Sequence, residues 1–208
     1  MKTDRDKFIN KEELVKFLKV AREINENLYE IFYTHAVLGT RISELLLLQW
    51  KDVDFEKRMI TIPTLKRDKD SKFSEKRKNK RGDSYMIFPI ALSFENDELF
   101  RILSLRRQKP NDIIFPMGRR NLHNKFKEIC KIAKINPNYS SHSFRHLQGI
   151  ATYQVTKDIV KTALRMRHKD MKTSFSYMHL LDRESKEISG QVSDYLFGGE
   201  EDGARNKK

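Results

Sequence analysis

A change of hydrophobic period constrains the fold of this chain more than any other feature. Apolar residues first recur at helical spacing, as Leu14, Phe17, Leu18 and Ala21, then as Leu28, Ile31, Phe32 and Ala36. Asn10 followed by Glu13 reads as a helix cap with its N3 carboxylate, and Gly39 stops the second helical run. A third helix begins near Thr40 and carries Ile42, Leu45 and Leu46 inward. The period then switches: RMITIP (58–63) and SYMIFPI (84–90) are short runs of β-formers and predict two strands. Helical spacing returns at about 94–108, 119–134, 142–154 and 157–167, then near 171–179 and 184–197. The pattern predicts one α+β domain over residues 1–197, mainly α-helical, with a small antiparallel β-sheet. The tail GGEEDGARNKK (198–208) is polar and predicts disorder.

Charge narrows the class of partner. Lys and Arg number 42 against 29 Asp and Glu, a net +13 with a pI near 9.7. Such an excess attracts polyanions through the summed field and through counterion release. Nucleic acid is the leading partner and an anionic membrane surface the alternative. No apolar run approaches a transmembrane length, and MKTDRDKFIN is too polar for a secretory signal. Cys130 is the single cysteine, which excludes an intramolecular disulfide and a cysteine-based zinc site; its place in FKEICKIAKI predicts a core position. These features describe a cytosolic-type protein. Between the two strands, residues 66–81 hold nine Lys/Arg and three Asp/Glu, a local excess of six, and read as an extended hairpin loop.

Several residues carry chemistry only when taken as a set. SSHSFRHLQG (140–149) puts His142, Arg145 and His146 within five positions. On a helix His142 and Arg145 share a face, and a proton donor beside a bidentate anion clamp suits a phosphate. A polar first helical turn is the plainer reading of the same residues. In LGTRISELLLLQWKDVDF, Arg41 opens an apolar helix with Glu44 three residues on, which reads equally as a structural ion pair. Lys66 follows the first strand, His168 lies in RMRHKD, and Tyr177 lies in SFSYMHL. Each alone fits an ordinary surface or core side chain.

In order and interval, these residues resemble the catalytic domain of the tyrosine recombinases, the phage-integrase and Xer-like site-specific DNA recombinases. GTRISELL with W-x-D-V-D, a hairpin lysine, HSFRH, a lone histidine and a tyrosine follow one another as in that family. Arg145 to His168 spans 23 residues and His168 to Tyr177 nine, both typical of it. The resemblance runs from about Phe8 to about Tyr195. It implies that Arg41 and Arg145 grip the scissile phosphate and that Tyr177 is the nucleophile. His142 is similar to the first residue of the H-x-x-R box and His168 to the second catalytic histidine. Glu44 resembles the acidic support of the first arginine, while His146 is given no chemistry. The general-acid lysine is expected at Lys66, with Lys78 and Lys80 as rivals, and Lys78, Lys80 and Arg81 are candidate DNA contacts.

That chemistry is physically coherent. Attack on a phosphodiester adds charge to its nonbridging oxygens, which two guanidinium forks stabilise. A covalent phosphotyrosine conserves the bond energy, so neither ATP nor another cofactor is implied, and the arginines take the place of a metal.

The sequence also departs from the family pattern. Arg167 stands where a glycine usually precedes the second histidine, which predicts a different local backbone. The VTKD stretch replaces a glycine common midway between Arg145 and His168. The chain begins almost at the catalytic domain, without the usual N-terminal core-binding domain, as in compact fimbrial invertases or in a truncated fragment. Near the end, Ile188, Val192, Tyr195 and Leu196 form an apolar stripe that packs on its own core or docks on a neighbouring subunit. The resemblance implies double-stranded DNA with specific sites as partner, a tetramer in the synaptic complex, no membrane, and a cytoplasmic, nucleoid-associated location. A type IB topoisomerase and a non-cutting DNA-binding regulator are the rival functions.

Overall fold

The computed structural model describes residues 9–65, 75–78 and 84–168. Helix α1 (Lys11–Ile24) starts at a complete capping box: Asn10 accepts from the Glu13 N–H and Glu13 accepts from the Asn10 N–H. Helix α2 (Glu26–Leu38) follows at once, capped by Asn25 and ended by Gly39 at φ 57°, ψ 29°. That left-handed turn suits glycine, and a Cβ there would lie 2.7 Å from Cγ of Gln148. Helix α3 (Ile42–Leu45) is a single turn, with Glu44 and Leu45 buried.

A four-stranded antiparallel sheet comes next, in the order β1-β2-β4-β3. Its strands are β1 (Val53–Asp54), β2 (Met59–Thr64), β3 (Glu75–Lys78) and β4 (Ser84–Ser93). Strands β2 and β4 pair from Met59↔Ser93 to Thr64↔Phe88. The stretch expected as an unbroken hairpin loop thus contains a strand, with Glu75↔Ile87 and Lys78↔Ser84 in register. Glu-Lys-Arg-Lys has no apolar alternation to betray it, and a charged edge strand is a common way to blunt a sheet edge.

The remaining helices are α4 (Asp97–Arg106), α5 (Arg119–Ile132), α6 (Ser141–Thr156) and α7 (Ile159–Met166). They match the expected helices within three residues at each end. The helices expected near 171–179 and 184–197, the apolar stripe and the tail lie outside the described residues. The observed architecture is the expected α+β one, mainly helical with a small antiparallel sheet.

Four phenylalanines fix the helices to one another. Phe17 of α1 packs its ring 5.0 Å from Phe32 of α2, 4.7 Å from Phe126 of α5 and 5.0 Å from Phe144 of α6. All four are excluded from solvent, and so is Cys130, a core residue as expected. Phe144 is the residue before Arg145, so this aromatic knot holds the segment of α6 that carries HSFRH. The edge-on pairs with Phe32 and Phe144 contribute about 0.5–1.5 kcal/mol each beyond burial.

A candidate phosphate-binding site

Arg41 sits at the N-cap of α3, where its main-chain N–H donates to Oε2 of Glu44 at 2.9 Å. Its guanidinium donates to Oε1 of the same carboxylate at 2.7 Å. The sequence pair is therefore a real ion pair, with Glu44 fully buried and a third of the Arg41 side chain still open to solvent. Glu44 also accepts from the main-chain N–H of Leu65 at 3.3 Å. This bond ties Leu65, just after β2 and one residue before Lys66, to the carboxylate that pairs with Arg41.

Arg145 reaches the same place from α6. It is buried, donates to the carbonyl of Gly39 at 2.5 Å, and donates through its other terminal nitrogen to the carbonyl of Met166. One guanidinium thus clamps the turn after α2 to the end of α7. His142, one turn earlier, is exposed. Ser140 caps this helix, accepting from the His142 N–H at 3.3 Å, while Ser143 accepts from the Ser140 N–H at 3.2 Å. The first turn is polar because it is a capped helix start, yet it also presents His142 beside two arginines.

His168 follows α7, its N–H bonded to the carbonyl of Ala163 at 3.0 Å. Burial, then Arg145, Arg41 and Arg167, hold its imidazole down to about 4. Partial desolvation, then Arg145, Arg41 and Arg119, lower His142 as well, with Glu44 opposing. His146 is lowered by burial, then by His142 and Arg145. All three imidazoles are shifted toward the neutral form, first by desolvation and then by the neighbouring cations. A bound anion would reverse that logic.

Arg167 takes φ 54°, ψ 44°, the left-handed conformation that a glycine would occupy without strain. Lys157, in the VTKD stretch, does the same at φ 51°, ψ 23° as the C-cap of α6. Both turns keep the glycine-favoured geometry and add a basic side chain to it. The Arg167 side chain is fully buried, with its terminal nitrogen 3.6 Å from Oε2 of Glu44. This position has no place in the site as read from sequence, and among Arg165, Arg167, His168 and Lys169 no local signal sets it apart.

Beside His142 lies a cavity of about 510 Å³, with Ser140, Ser141 and His142 on one wall and Arg119, Arg120 and His123 on the other. Arg119 had not been singled out from sequence, and only its effect on His142 brings it to notice. Among the described residues no cluster of three His, Cys, Asp or Glu side chains is placed to hold a metal ion. No described helix is long and apolar enough to cross a membrane. Arg41, Glu44, His142, Arg145 and His168 are brought near one another. Lys66, Lys80, Arg81 and Tyr177 lie outside the described residues, and Lys78 is placed only by its backbone, in β3.

The phage integrase family model matches residues 7–184. The chain belongs to that family. It is 27% identical over 215 residues to the ICEBs1 integrase of Bacillus subtilis (strain 168), covering 91% of this chain and 55% of that one. Among solved structures, the Tn1549 transposon integrase in complex with circular intermediate DNA matches with a TM-score of 0.67 at 17% identity, over 85% of this chain and 63% of that one. The catalytic domain of bacteriophage HP1 integrase matches with a TM-score of 0.56 at 18% identity, over 86% of this chain and 94% of that domain. The structural likenesses establish the tyrosine recombinase catalytic fold. The chain spans about half the length of the curated relatives it matches.

Proposed function

We propose that this integrase-family chain is the catalytic domain of a site-specific DNA recombinase that cuts and rejoins strands through a 3′-phosphotyrosyl intermediate. The observation that carries this reading is the convergence of Arg41 and Arg145 from separate helices onto one turn. Arg41 is braced by Glu44 and Arg145 by the carbonyl of Gly39, with His142 and His168 alongside.

In this reading the two guanidinium groups hold the nonbridging oxygens of the scissile phosphate and stabilise the charge that builds there in the transition state. Preorganisation comes from the buried carboxylate and the carbonyl, which fix both forks before DNA arrives. The hydroxyl of Tyr177 attacks phosphorus, the bond to the 5′-oxygen breaks, and the 5′-hydroxyl leaves with a proton. Attack by an incoming 5′-hydroxyl reverses the step and frees the tyrosine. Neutral imidazoles at His142 and His168 exchange protons during these steps, within the roughly 10²–10⁴ expected for general acid–base help. Lys66 is the preferred proton donor to the leaving oxygen, because its neighbour Leu65 is bonded to Glu44. Lys78, Lys80 and Arg81 serve the duplex backbone.

The partner is double-stranded DNA carrying specific sites, with four copies assembled through the C-terminal segment, in the cytoplasm at the nucleoid. Wild type and Tyr177→Phe are each incubated, without added metal, with nicked duplexes drawn from DNA flanking the gene, and resolved on a denaturing gel. A covalent adduct with wild type alone supports the reading, and sequencing the trapped DNA gives the site. An adduct that persists in Tyr177→Phe sinks the mechanism. Relaxation of supercoils without site preference favours a type IB topoisomerase, and salt-sensitive binding without any adduct favours a regulator.

A further inference from the structure

We propose that Arg167 is a positioning residue that fixes, from behind, the geometry in which Arg41 and Arg145 hold a phosphate. The inference rests on the reading that those two arginines bind the scissile group.

Arg167 shares an acceptor with each of them. Its Nη2 lies 3.6 Å from Oε2 of Glu44, whose Oε1 takes the Arg41 guanidinium at 2.7 Å. The same Nη2 donates to the Gly39 carbonyl at 3.3 Å, the oxygen that Arg145 reaches at 2.5 Å. Nη1 donates to the Arg165 carbonyl at 3.2 Å. Arg145 in turn binds the carbonyl of Met166, the residue before Arg167. Moving Arg167 therefore disturbs both partners at once.

The electrostatics point the same way. A buried carboxylate paired with Arg41 alone would largely cancel the charge offered to a phosphate. With Arg167 as a second counterion, the two guanidiniums outnumber the Glu44 charge, and Arg41 keeps its exposed third directed outward. Excess positive charge in a low-dielectric setting is a demand for an anion.

A purely local role explains none of this. The turn needs only the left-handed backbone, which glycine adopts freely, whereas Arg167 brings a non-glycine residue at φ 54°, a fully buried charge and a buried Nε with no hydrogen-bond partner. Local strain of this sort persists where surroundings over-determine it and clusters at functional sites.

The test uses the full chain and inorganic phosphate, followed by the ring resonances of His142 and His168. Wild type, Arg167→Gly, Arg167→Met and Arg167→Lys are titrated at fixed ionic strength, with melting temperature recorded for each. The expected result is saturable phosphate binding by wild type, weakened at least tenfold in folded Arg167→Gly and Arg167→Met. Arg167→Lys should recover to within about threefold of wild type, a rescue that a backbone role would not produce. Phosphate affinity within twofold of wild type in folded Arg167→Gly or Arg167→Met overturns the assignment, as does absence of saturable binding by wild type. Phosphate binding that depends on Arg167 in a chain forming no DNA adduct would instead overturn the strand-transfer reading and leave this one standing.

Discussion

Arg145 donates to the carbonyl of Gly39 across 106 residues of sequence, and the turn that presents this carbonyl exists only because Gly39 takes a left-handed φ of 57°. Substitution by alanine therefore acts on the site through the backbone. The left-handed conformation costs an L residue about 1–2 kcal/mol, and the new Cβ would meet Gln148 Cγ at 2.7 Å. Gly39→Ala is expected to lose about 1–3 kcal/mol in urea unfolding, combining that cost with a modest clash. Adding Gln148→Ala should recover the clash and leave the φ cost. Full recovery in the double variant would show that φ is not the constraint.

Glu44 is the carboxylate whose loss is felt most widely. Glu44→Gln keeps the shape and can still accept from Leu65, but it leaves Arg167 buried without a counter-charge. Breaking a buried pair in this way costs on the order of 3–5 kcal/mol. The denaturation midpoint should fall accordingly. Arg167→Met combined with Glu44→Gln should be less destabilised than the sum of the two single variants, since the buried charge that Glu44→Gln leaves unpaired at position 167 is gone. Strict additivity would mean that the two side chains do not interact.

Much of this arrangement was legible in sequence where one residue type has one physical use. Asn10 with Glu13 announced a helix start, Gly39 announced a stop, and the β-branched run Ile60–Thr61–Ile62 announced a strand. The strand Glu75–Lys78 was not legible, because edge pairing rests on main-chain bonds that its charged side chains do not advertise. Arg167 was read from the chemistry of glycine, as a change of backbone. The structure also uses the side chain, through contacts of the guanidinium with Glu44 and Gly39, more than 100 residues away. Local pattern carries no information about partners at that separation.

The buried imidazoles make stability depend on pH with a definite sign. His35 is fully buried, 5.7 Å from the Phe144 ring, and burial pushes it down to about 3, while His168 is held to about 4. Both are ordinarily near 6.5 in an unfolded chain. Below about 6.5 the unfolded state binds more protons, so stability is fully present above that pH and drains away as pH falls toward 4 and then 3. The slope inside the window is at most about 1.4 kcal/mol per pH unit for the fully buried His35 and smaller for the part-exposed, solvent-screened His168. Melting temperature should hold from pH 7.5 to about 6.5 and then decline to pH 4.5, and His35→Leu should flatten part of that decline. An unchanged slope in the variant would remove His35 from the account.

Ser140 separates the stability of α6 from the charge of its surroundings. It is the N-cap, accepting from the His142 N–H, and it lines the cavity shared with Arg119 and Arg120. Ser140→Ala removes the cap and should cost about 1 kcal/mol. Ser140→Asp keeps a capping oxygen and adds a negative charge at a helix N-terminus, so stability should match or slightly exceed wild type. The same charge stands beside His142 and Arg119, where a DNA phosphate is expected to lie. Salt-dependent binding to duplex DNA should therefore weaken several-fold in Ser140→Asp and change little in Ser140→Ala, although only the alanine variant is destabilised. The opposite ranking in a fluorescence-anisotropy titration would place the DNA backbone away from this wall of the cavity.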